Sequence, residues 1–329
     1  MYMSRRNILR RACATAIVIP ALVAGLASAQ AQTYPSQDIH FIAAFPAGSG
    51  SDIMVRFFAE KVRALSGRTI IVENKPGAGG NIAAEYVARA KPDGYTVLVH
   101  NGTSVAANYN LFKKPPINPS KDLLVAATIT EQPFMLVVDS KSPYNTLPEL
   151  TAAMKAKGDK ATYAQATTFA KVMGELYRTA AGLEAVEVAY KSTPDFMNDL
   201  SSGAVDYAIM DPVGAMSHSK AGRVKVLAVS TPRRIQALPD NPTMKEAGAD
   251  VELALWFGAM VPSGTPKPVV DQINTWMKEM VAMEDTKKFL IGIAGDPLTT
   301  TPTEGQAMLD KAQADWEGLV KAARIEPQG

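Results

Sequence analysis

Short apolar runs alternate with amphipathic stretches along the chain. In the first part, the apolar runs predict strands at Ile39–Phe45, Thr69–Val72 and Tyr95–Val99. Apolar residues recur at helical spacing over Ile53–Leu65, which Gly67 ends, and over Asn81–Ala90, with Asn81 as the cap. Such an alternation is typical of α/β folds, in which helices cover both faces of a sheet that contains parallel strands.

The same alternation returns in the second part of the chain. The predicted strands there are Phe134–Val138, Ala161–Ala164, Val186–Ala189, Val205–Met210 and Val224–Val229. The predicted helices are Lys171–Ala181, Pro194–Ser202, Pro268–Met283 and Thr303–Ala323.

The pattern predicts two lobes, because the first sheet is interrupted near residue 130 and resumes after residue 230. One lobe is expected from residues 32–131 and 231–329, and the second from residues 132–230, with two crossover segments between them. Each lobe is expected to hold a mixed, mostly parallel sheet flanked by helices. Ligands of such folds bind at the carboxyl ends of strands and between lobes.

The N-terminal residues have the pattern of a secretory signal peptide. Four arginines, at positions 5, 6, 10 and 11, precede an apolar stretch from Ala14 to Ala27, and two A-x-A cleavage sites follow by Ala31. We therefore predict that residues 1–31 are removed on export to the periplasm, by the Sec route or, since Ser4–Arg10 resembles a twin-arginine signal, by that route.

Removal of this segment changes the chemistry of the chain. The only cysteine, Cys13, is lost, so neither a disulfide nor a thiolate can operate in the mature protein. The 34 basic residues fall to 30 against 32 acidic ones, and the formal charge becomes −2. Such a charge does not favour nucleic acid or an anionic membrane as a partner.

Polar and small residues follow several predicted strands. The loop Phe45–Asp52 reads F-P-A-G-S-G-S-D, and its Ser49-x-x-Asp52 spacing suits a helix N-terminus whose N–H groups face an anion. The segments His100–Ser104 and Gln165–Thr168 occupy equivalent positions after later strands. Each segment alone also fits an ordinary cap or turn. The glycine-rich stretch Asn74–Asn81 lacks the order of a phosphate-binding motif and predicts a wide turn.

Catalytic motifs are weak. The three histidines, His40, His100 and His218, are scattered without zinc-ligand spacing, and no G-x-S-x-G elbow occurs. We expect no cofactor and no metal site. Asp211 is expected to be a loop or lobe-contact residue, with ligand binding as the second interpretation. Trp256 and Phe257 fit buried packing better than the wall of an aromatic ligand site.

Seven segments resemble, in order, the Bug receptors, the TctC-like periplasmic solute-binding proteins of tripartite tricarboxylate transporters. They are F-P-A-G-S-G-S-D, V-E-N-K-P-G-A-G-G-N-I, A-R-A-K-P-D-G-Y-T-V-L, D-L-S-S-G-A-V-D, K-V-L-A-V-S-T-P-R-R, L-P-D-N-P-T-M-K-E-A-G and W-F-G-A-M-V-P-S-G-T-P. The resemblance implies an α/β, two-lobed periplasmic binding protein of type II-like architecture that closes on a small carboxylate. It also implies membrane permease subunits, and a sensor kinase as a further candidate, as partners.

The resemblance places the ligand-binding residues in both lobes. The expected set is Phe45, Ala47, Gly48, Ser49, Ser51, His100, Asn101, Thr103, Gln165, Ala166, Thr167, Thr168 and Asp211. The family's usual glycines are missing at Gln165–Thr168, and Ala189–Ser192 replaces the commoner P-Y-K-G. Both departures lie in the second lobe, where ligand specificity is expected to be set.

The sequence predicts a monomeric binding protein without enzymatic activity. Two other classes stay open: a secreted enzyme acting on a small carboxylated or phosphorylated metabolite in the same cleft, and a structural or adhesive protein without a small ligand. The identity of the acid stays open among dicarboxylates, tricarboxylates, acidic amino acids, nicotinate-like acids and aromatic dicarboxylates.

Overall fold

The structure, a computed structural model, describes residues Tyr34–Gly329, which form one compact unit. The predicted signal peptide and Cys13 lie outside these residues. No helix among the described residues has both the length and the apolar character needed to cross a membrane.

The described residues contain eleven strands, in two sheets. They are β1 (Ile39–Ala43), β2 (Ile70–Asn74), β3 (Thr96–Asn101), β4 (Leu123–Pro133), β5 (Met135–Asp139), β6 (Thr162–Gln165), β7 (Val186–Ala189), β8 (Tyr207–Met210), β9 (Val224–Val229), β10 (Ala254–Pro262) and β11 (Asp296–Pro297).

Eleven α-helices are assigned in the same residues. They are α1 (Gly50–Ser66), α2 (Asn81–Ala88), α3 (Gly102–Leu111), α4 (Pro119–Asp122), α5 (Leu147–Lys157), α6 (Thr168–Ala180), α7 (Thr193–Ser202), α8 (Pro212–Lys220), α9 (Lys267–Ala282), α10 (Glu284–Gly292) and α11 (Pro302–Ala322). Short 3₁₀ turns lie at Ala78–Gly80 and Gly158–Lys160.

The first sheet has six strands in the order β11-β4-β10-β3-β1-β2. β1 pairs in parallel with β2 and β3, whereas β10 is antiparallel to β3 and β4, and β11 is antiparallel to β4. Buried residues of α1, α9 and α10 pack with one face of the sheet, and those of α2, α3 and the first part of α11 with the other. Burial on both faces by helices is the layering expected of an α/β fold.

The second sheet has five strands in the order β7-β6-β8-β5-β9. β6 is parallel to β7 and β8, and β5 is antiparallel to β8 and β9. One face packs with α5, α6 and the last part of α11, and the other with α7 and α8. The two sheets are mixed, as expected, but parallel pairs do not predominate in either, since both are extended by antiparallel strands.

The first connection between the sheets is short, whereas the return connection comprises residues 230–253. β4 ends at Pro133 and β5 begins at Met135, while the return from β9 to β10 passes through Ser230 and Leu253. Ser230 Oγ accepts from the Phe134 N–H (2.8 Å) and donates to the Leu253 carbonyl (2.5 Å), so one hydroxyl ties the two crossover segments together.

The return segment packs with the second sheet before it reaches the first. Ile235 belongs to one core of the second sheet, and Met244, Val251 and Leu253 belong to the other. The Thr243 segment also forms a bridge with Val229 at the end of β9.

Local sequence signals explain where helices begin and end. Ser49 caps α1 with its hydroxyl, and Gly67 ends α1 in the left-handed conformation at φ 65°. Asn81 differs from its expected role as a cap: it is the first residue of α2, and Gly80 precedes it at φ 99°. Its side-chain oxygen accepts from Asn108 Nδ2 (3.0 Å), which binds α2 to α3.

Candidate functional site

Two helices begin side by side at the carboxyl edge of the first sheet. β1 and β3 are parallel neighbours in which His40 pairs with Thr96 and Ile42 with Leu98. α1 follows β1 with Ser49 as its cap, and α3 follows β3 with Asn101 as its cap. The N-terminal N–H groups of both helices therefore lie at one edge of the sheet, where they favour an anion.

The second sheet repeats this arrangement. β6 and β8 are parallel neighbours in which Tyr163 pairs with Tyr207. Thr167 caps α6 directly after β6, and Asp211 caps α8 directly after β8. Each sheet thus presents two helix N-termini at the carboxyl ends of two adjacent parallel strands.

A short segment joins these two edges. Phe257 pairs with both Asn101 and Thr130, which puts Thr130 near the carboxyl edge of the first sheet. Met135 pairs with Met210 at the carboxyl edge of the second sheet. Five residues of extended chain span at most about 18 Å, so the two edges are neighbours across this crossover.

The loop after β1 presents a hydroxyl and unpaired backbone donors. Ser49 Oγ accepts from the Asp52 N–H (3.2 Å), which leaves the hydroxyl proton of Ser49 available to another acceptor. The N–H groups of Gly50 and Ser51 make no hydrogen bond with any of residues 34–329. This is the donor set that binds carboxylates at helix N-termini.

The loop begins with an aromatic residue that packs against other rings and continues with exposed residues. The Phe45 ring lies edge-on to the His100 ring at 4.8 Å and stacks near Phe257 at 6.1 Å. Ala47 and Gly48 are exposed. Gly48 adopts φ 80° and donates its N–H to Asp52 Oδ2 (2.8 Å), so this N–H is not free for a ligand.

His100 and Asn101 lie in β3 itself rather than in a loop after it. His100 is buried, and neither ring nitrogen has a hydrogen-bond partner of normal geometry among the described residues. Burial lowers the pKa of His100 to about 4 and outweighs the opposite effect of the Gly79 backbone, so the ring is neutral at neutral pH. Asn101 accepts from the Ser104 N–H (2.9 Å) as the cap of α3.

The Thr103 hydroxyl is engaged within the protein. Its hydroxyl donates to the Ala254 carbonyl (3.3 Å) and accepts from the Trp256 N–H (3.3 Å), both on β10. Thr103 also lines a cavity of about 660 Å³ against α11, together with Trp256 and Trp316. It therefore joins α3 to β10. Trp256 and Phe257 are buried, as the packing interpretation expects.

The glycine-rich turn before α2 packs directly over the His100 ring and does not form an anion-binding loop. Four successive residues, Gly77 to Gly80, have positive φ values of 125°, 47°, 63° and 99°. The Gly79 carbonyl accepts from Asn108 Nδ2 (2.9 Å), and a Cβ on Gly80 would overlap the His100 ring. Glycine is required here because backbone lies directly on a buried side chain.

The loop after β6 offers donors like those of the first sheet. Thr167 is exposed, and its Oγ accepts from the Ala170 N–H (3.1 Å). The N–H groups of Thr168 and Phe169, in the first turn of α6, make no hydrogen bond with the described residues. Ala166 packs against the buried residues between β8 and α7.

One amide hydrogen of Gln165 is engaged with the neighbouring strand β7. Its Nε2 donates to Glu187 Oε1 (2.6 Å), and Lys171 Nζ lies 3.0 Å from Glu187 Oε2. An amide N–H of Gln165 is thus engaged with Glu187, and the Glu187 charge is balanced by Lys171. Asp211 likewise turns to its own helix, accepting from the Gly214 N–H (2.9 Å).

Three residues near this site were not expected from the sequence. Asp52, Arg56 and Asn74 form a hydrogen-bonded group beneath the loop after β1. The only signals were the Ser49-x-x-Asp52 spacing and the position of Asn74 in the V-E-N-K-P-G motif.

Comparison with known proteins identifies the family. The model of the tripartite tricarboxylate transporter family receptor, TctC, matches residues 54–324. The chain belongs to this family. It is therefore a solute-binding receptor of the tripartite tricarboxylate transporter type, as the resemblance implied.

Individual relatives agree with the TctC assignment over nearly the whole chain. A UPF0065 protein of Bordetella bronchiseptica is 33% identical over 316 residues, covering 95% of this chain and 94% of that protein. The periplasmic binding protein BugD is 31% identical with a TM-score of 0.71, covering 90% of this chain and 100% of BugD. Rpa4515 of R. palustris, solved with adipate, is 27% identical with a TM-score of 0.75, covering 89% and 99%. These structures confirm the two-lobed binding-protein fold.

Proposed function

We propose that this receptor captures a small dicarboxylate between the loops Phe45–Asp52 and Gln165–Thr168 and delivers it to the membrane subunits of a tripartite transporter. The observation that carries the proposal is the pair of helix N-termini at the carboxyl edge of each sheet. The adipate in the R. palustris relative supports a dicarboxylate as the ligand class.

Each lobe supplies one half of the binding site in this proposal. Ser49 donates its hydroxyl, and Gly50 and Ser51 their N–H groups, to one carboxylate. Thr167 and the first N–H groups of α6 bind the other, and the ring of Phe45 packs against the methylene groups. Aimed dipoles of this kind bind an anion without a buried cation.

Closure then brings the halves together about the crossover segments. We propose that the second lobe extends through Leu253 rather than residue 230, because Ile235, Met244, Val251 and Leu253 pack in the cores of the second sheet. Both crossovers then bend where Ser230 joins them, which suits a hinge formed by a few residues. Residues 1–31 direct export, and the mature receptor acts as a monomer that leaves its ligand chemically unchanged.

Native mass spectrometry of receptor isolated from the periplasm identifies the acid that it carries. Titration calorimetry with C4–C8 dicarboxylates, citrate, acidic amino acids and aromatic dicarboxylates then ranks these classes of acid by affinity. We expect the tightest binding from a dicarboxylate, with the acid recovered unchanged after incubation. Conversion of the acid to another compound would instead support the alternative of a secreted enzyme. Absence of binding to every acid tested would refute the proposal.

Substitution of the two hydroxyls tests the placement of the site. Ser49→Ala and Thr167→Ala are each expected to cost about 1.5–3 kcal/mol of affinity, since each removes a hydrogen bond to a charged group. Thr146→Ala is the matched control, because Thr146 caps α5 through the Glu149 N–H at the far end of β5. The control should lower stability as Thr167→Ala does and leave affinity unchanged. Wild-type affinity in both site variants would place the ligand elsewhere.

A further inference from the structure

The Asp52 carboxylate is buried beneath the proposed ligand loop, and both of its oxygens are hydrogen-bonded. Its side chain is 2% exposed. Oδ2 accepts from the Gly48 N–H (2.8 Å) and from Arg56 Nε (2.9 Å), and Oδ1 accepts from Asn74 Nδ2 (2.7 Å). The carboxylate thus accepts three hydrogen bonds from the protein, and its burial separates it from solvent.

Asn74, the last residue of β2, is equally occupied. Its Nδ2 also donates to the Phe45 carbonyl (3.0 Å), and its Oδ1 accepts from Arg56 Nη2 (2.9 Å). Both hydrogens and the oxygen of the amide are thus engaged within the protein. An effect of Asn74 on ligand binding therefore has to act through the loop.

The group fixes the loop at two points, the Phe45 carbonyl and the Gly48 N–H. Ser49 and the first two residues of α1, which offer donors to the ligand, follow directly after Gly48. We infer that Asn74 and Arg56 are positioning residues of the ligand site: Asn74 directly, and both residues through Asp52, hold the Phe45–Gly48 backbone so that the donors of Ser49, Gly50 and Ser51 converge on one carboxylate. This inference rests on the proposed function.

Arg56 has a second effect, on charge. Burial alone would raise the pKa of Asp52, but the hydrogen bonds from Arg56, Asn74 and Gly48 outweigh it and keep the pKa below its usual range. Asp52 is therefore an anion in the first turn of α1, close to the place proposed for the ligand carboxylate. Arg56 balances that charge, so the partial positive charge at the N-terminus of α1 remains available to attract the ligand carboxylate.

Asn74→Ala tests the positioning role, with Asn274→Ala as its matched control. Asn274 is a buried asparagine of α9 whose Nδ2 also bridges two carbonyls, those of Ala126 (2.7 Å) and Thr300 (3.0 Å). Both variants should lower the melting temperature. Only Asn74→Ala should weaken binding of the dicarboxylate, tested with adipate and the best acid of the calorimetric panel, by tenfold or more. A dissociation constant within twofold of wild type in Asn74→Ala would overturn the inference.

Arg56→Gln tests the charge role and Arg56→Lys rescues it. Arg56→Gln should weaken dicarboxylate binding at low salt, and the loss should shrink as salt screens the unbalanced Asp52. Arg56→Lys retains the charge and should recover most of the affinity. Equal binding by wild type and Arg56→Gln at low salt would remove the charge argument.

Amide hydrogen exchange without ligand separates this inference from the proposed function. In Asn74→Ala, exchange at Gly48 to Ser51 should accelerate more than in Asn274→Ala at matched global stability. Unchanged exchange would show that the group does not hold the loop, whatever the receptor binds. Faster exchange together with no binding by the wild-type receptor would instead refute the proposed function alone.

Discussion

His100 is a buried titratable residue whose surroundings fix its charge. It lies between the Phe45 ring and the glycine turn before α2, with 3% of its surface exposed. No carboxylate is among the causes that shift its pKa, so burial dominates and the neutral ring is favoured. It is a packing residue beside the proposed site, with its basicity suppressed.

The neutral state of His100 predicts a loss of stability in mild acid. Because the folded pKa, about 4, lies below the unfolded value of 6.5, the contribution is complete above pH 6.5 and falls as the pH drops toward 4, by about 3 kcal/mol in total. Urea unfolding from pH 7 to 4 should therefore show a flatter profile in His100→Gln than in wild type. His218→Gln, at a partly exposed histidine, is the control and should retain most of the wild-type slope.

The glycine turn predicts a large cost for one methyl group. Gly80→Ala places a Cβ on the His100 ring and forces φ 99° on an alanine. We expect a loss of about 3 kcal/mol or more in the free energy of unfolding, from overpacking and backbone strain together. Gly182→Ala has a similar backbone requirement, φ 62°, without a neighbour within 4 Å, and should cost only about 1–2 kcal/mol. Equal losses in thermal unfolding would contradict the packing argument.

At the residue scale, the sequence predicts what is local and misses what is distant. The cap at Ser49 follows from residues three positions apart, and the structure contains it. The partners of Thr103 and Gln165 lie on β10 and β7, 151 and 22 positions away. Side-chain orientation toward such partners depends on tertiary packing, which no short motif encodes.

At the element scale, the two crossover segments are held by one side chain. Ser230 is fully buried, and its Oγ satisfies the Phe134 N–H and the Leu253 carbonyl at once. The Phe134 carbonyl in turn accepts from the Ser230 N–H (3.0 Å), so the two segments are bonded by backbone as well.

Ser230→Ala should therefore destabilise the receptor. It leaves a buried N–H and a buried carbonyl without their partner, and we expect a loss of about 2–4 kcal/mol in the free energy of unfolding. Ser201→Ala removes an exposed hydroxyl that bonds Asp139 and should change stability by less than about 0.5 kcal/mol. Urea unfolding of wild type, Ser230→Ala and Ser201→Ala measures these losses. Equal stability of Ser230→Ala and wild type would show that the Ser230 hydroxyl does not hold the crossover segments together.

The hydrophobic pattern predicts some strands well and misses others for a physical reason. β7 and β9 have the predicted bounds, Val186–Ala189 and Val224–Val229. The pattern does not predict β4 and β10, although they are the longest strands among the described residues. Both are buried on both faces, so neither shows the alternation that marks a half-exposed strand. Their pairing is also antiparallel, which explains why parallel pairs do not predominate in the first sheet.

At the scale of the whole molecule, the fold places dipoles where the ligand is proposed to bind. In each sheet, two adjacent parallel strands are each followed by a helix with a capped N-terminus. The Thr130–Met135 segment makes the carboxyl edges of the two sheets neighbours. Two cations near this site are paired with carboxylates: Arg56 with Asp52, and Lys171 with Glu187. Under the proposed function, such a site binds an acid through aimed donors, and closure of the lobes completes it.

Closure can be measured directly, because the chain from residue 32 onward contains no cysteine. Ile53 in α1 and Val213 in α8 are 54% and 49% exposed, and each lies in the first turn of its helix at the proposed binding edge of its own sheet. With spin labels on Ile53→Cys and Val213→Cys, pulsed electron resonance should show a shorter and narrower distance distribution on addition of the dicarboxylate. This follows because the ligand stabilises the state in which both halves contact it.

The pair Ile53→Cys and Tyr86→Cys is the control for this measurement. Tyr86 is also exposed and lies in α2, which packs against the first sheet as α1 does. Its distance to Ile53 should therefore not change when the ligand binds. A ligand-induced change in both pairs would indicate rearrangement within the first lobe. Binding that leaves the Ile53–Val213 distribution unchanged would show that capture does not require the hinge at Ser230.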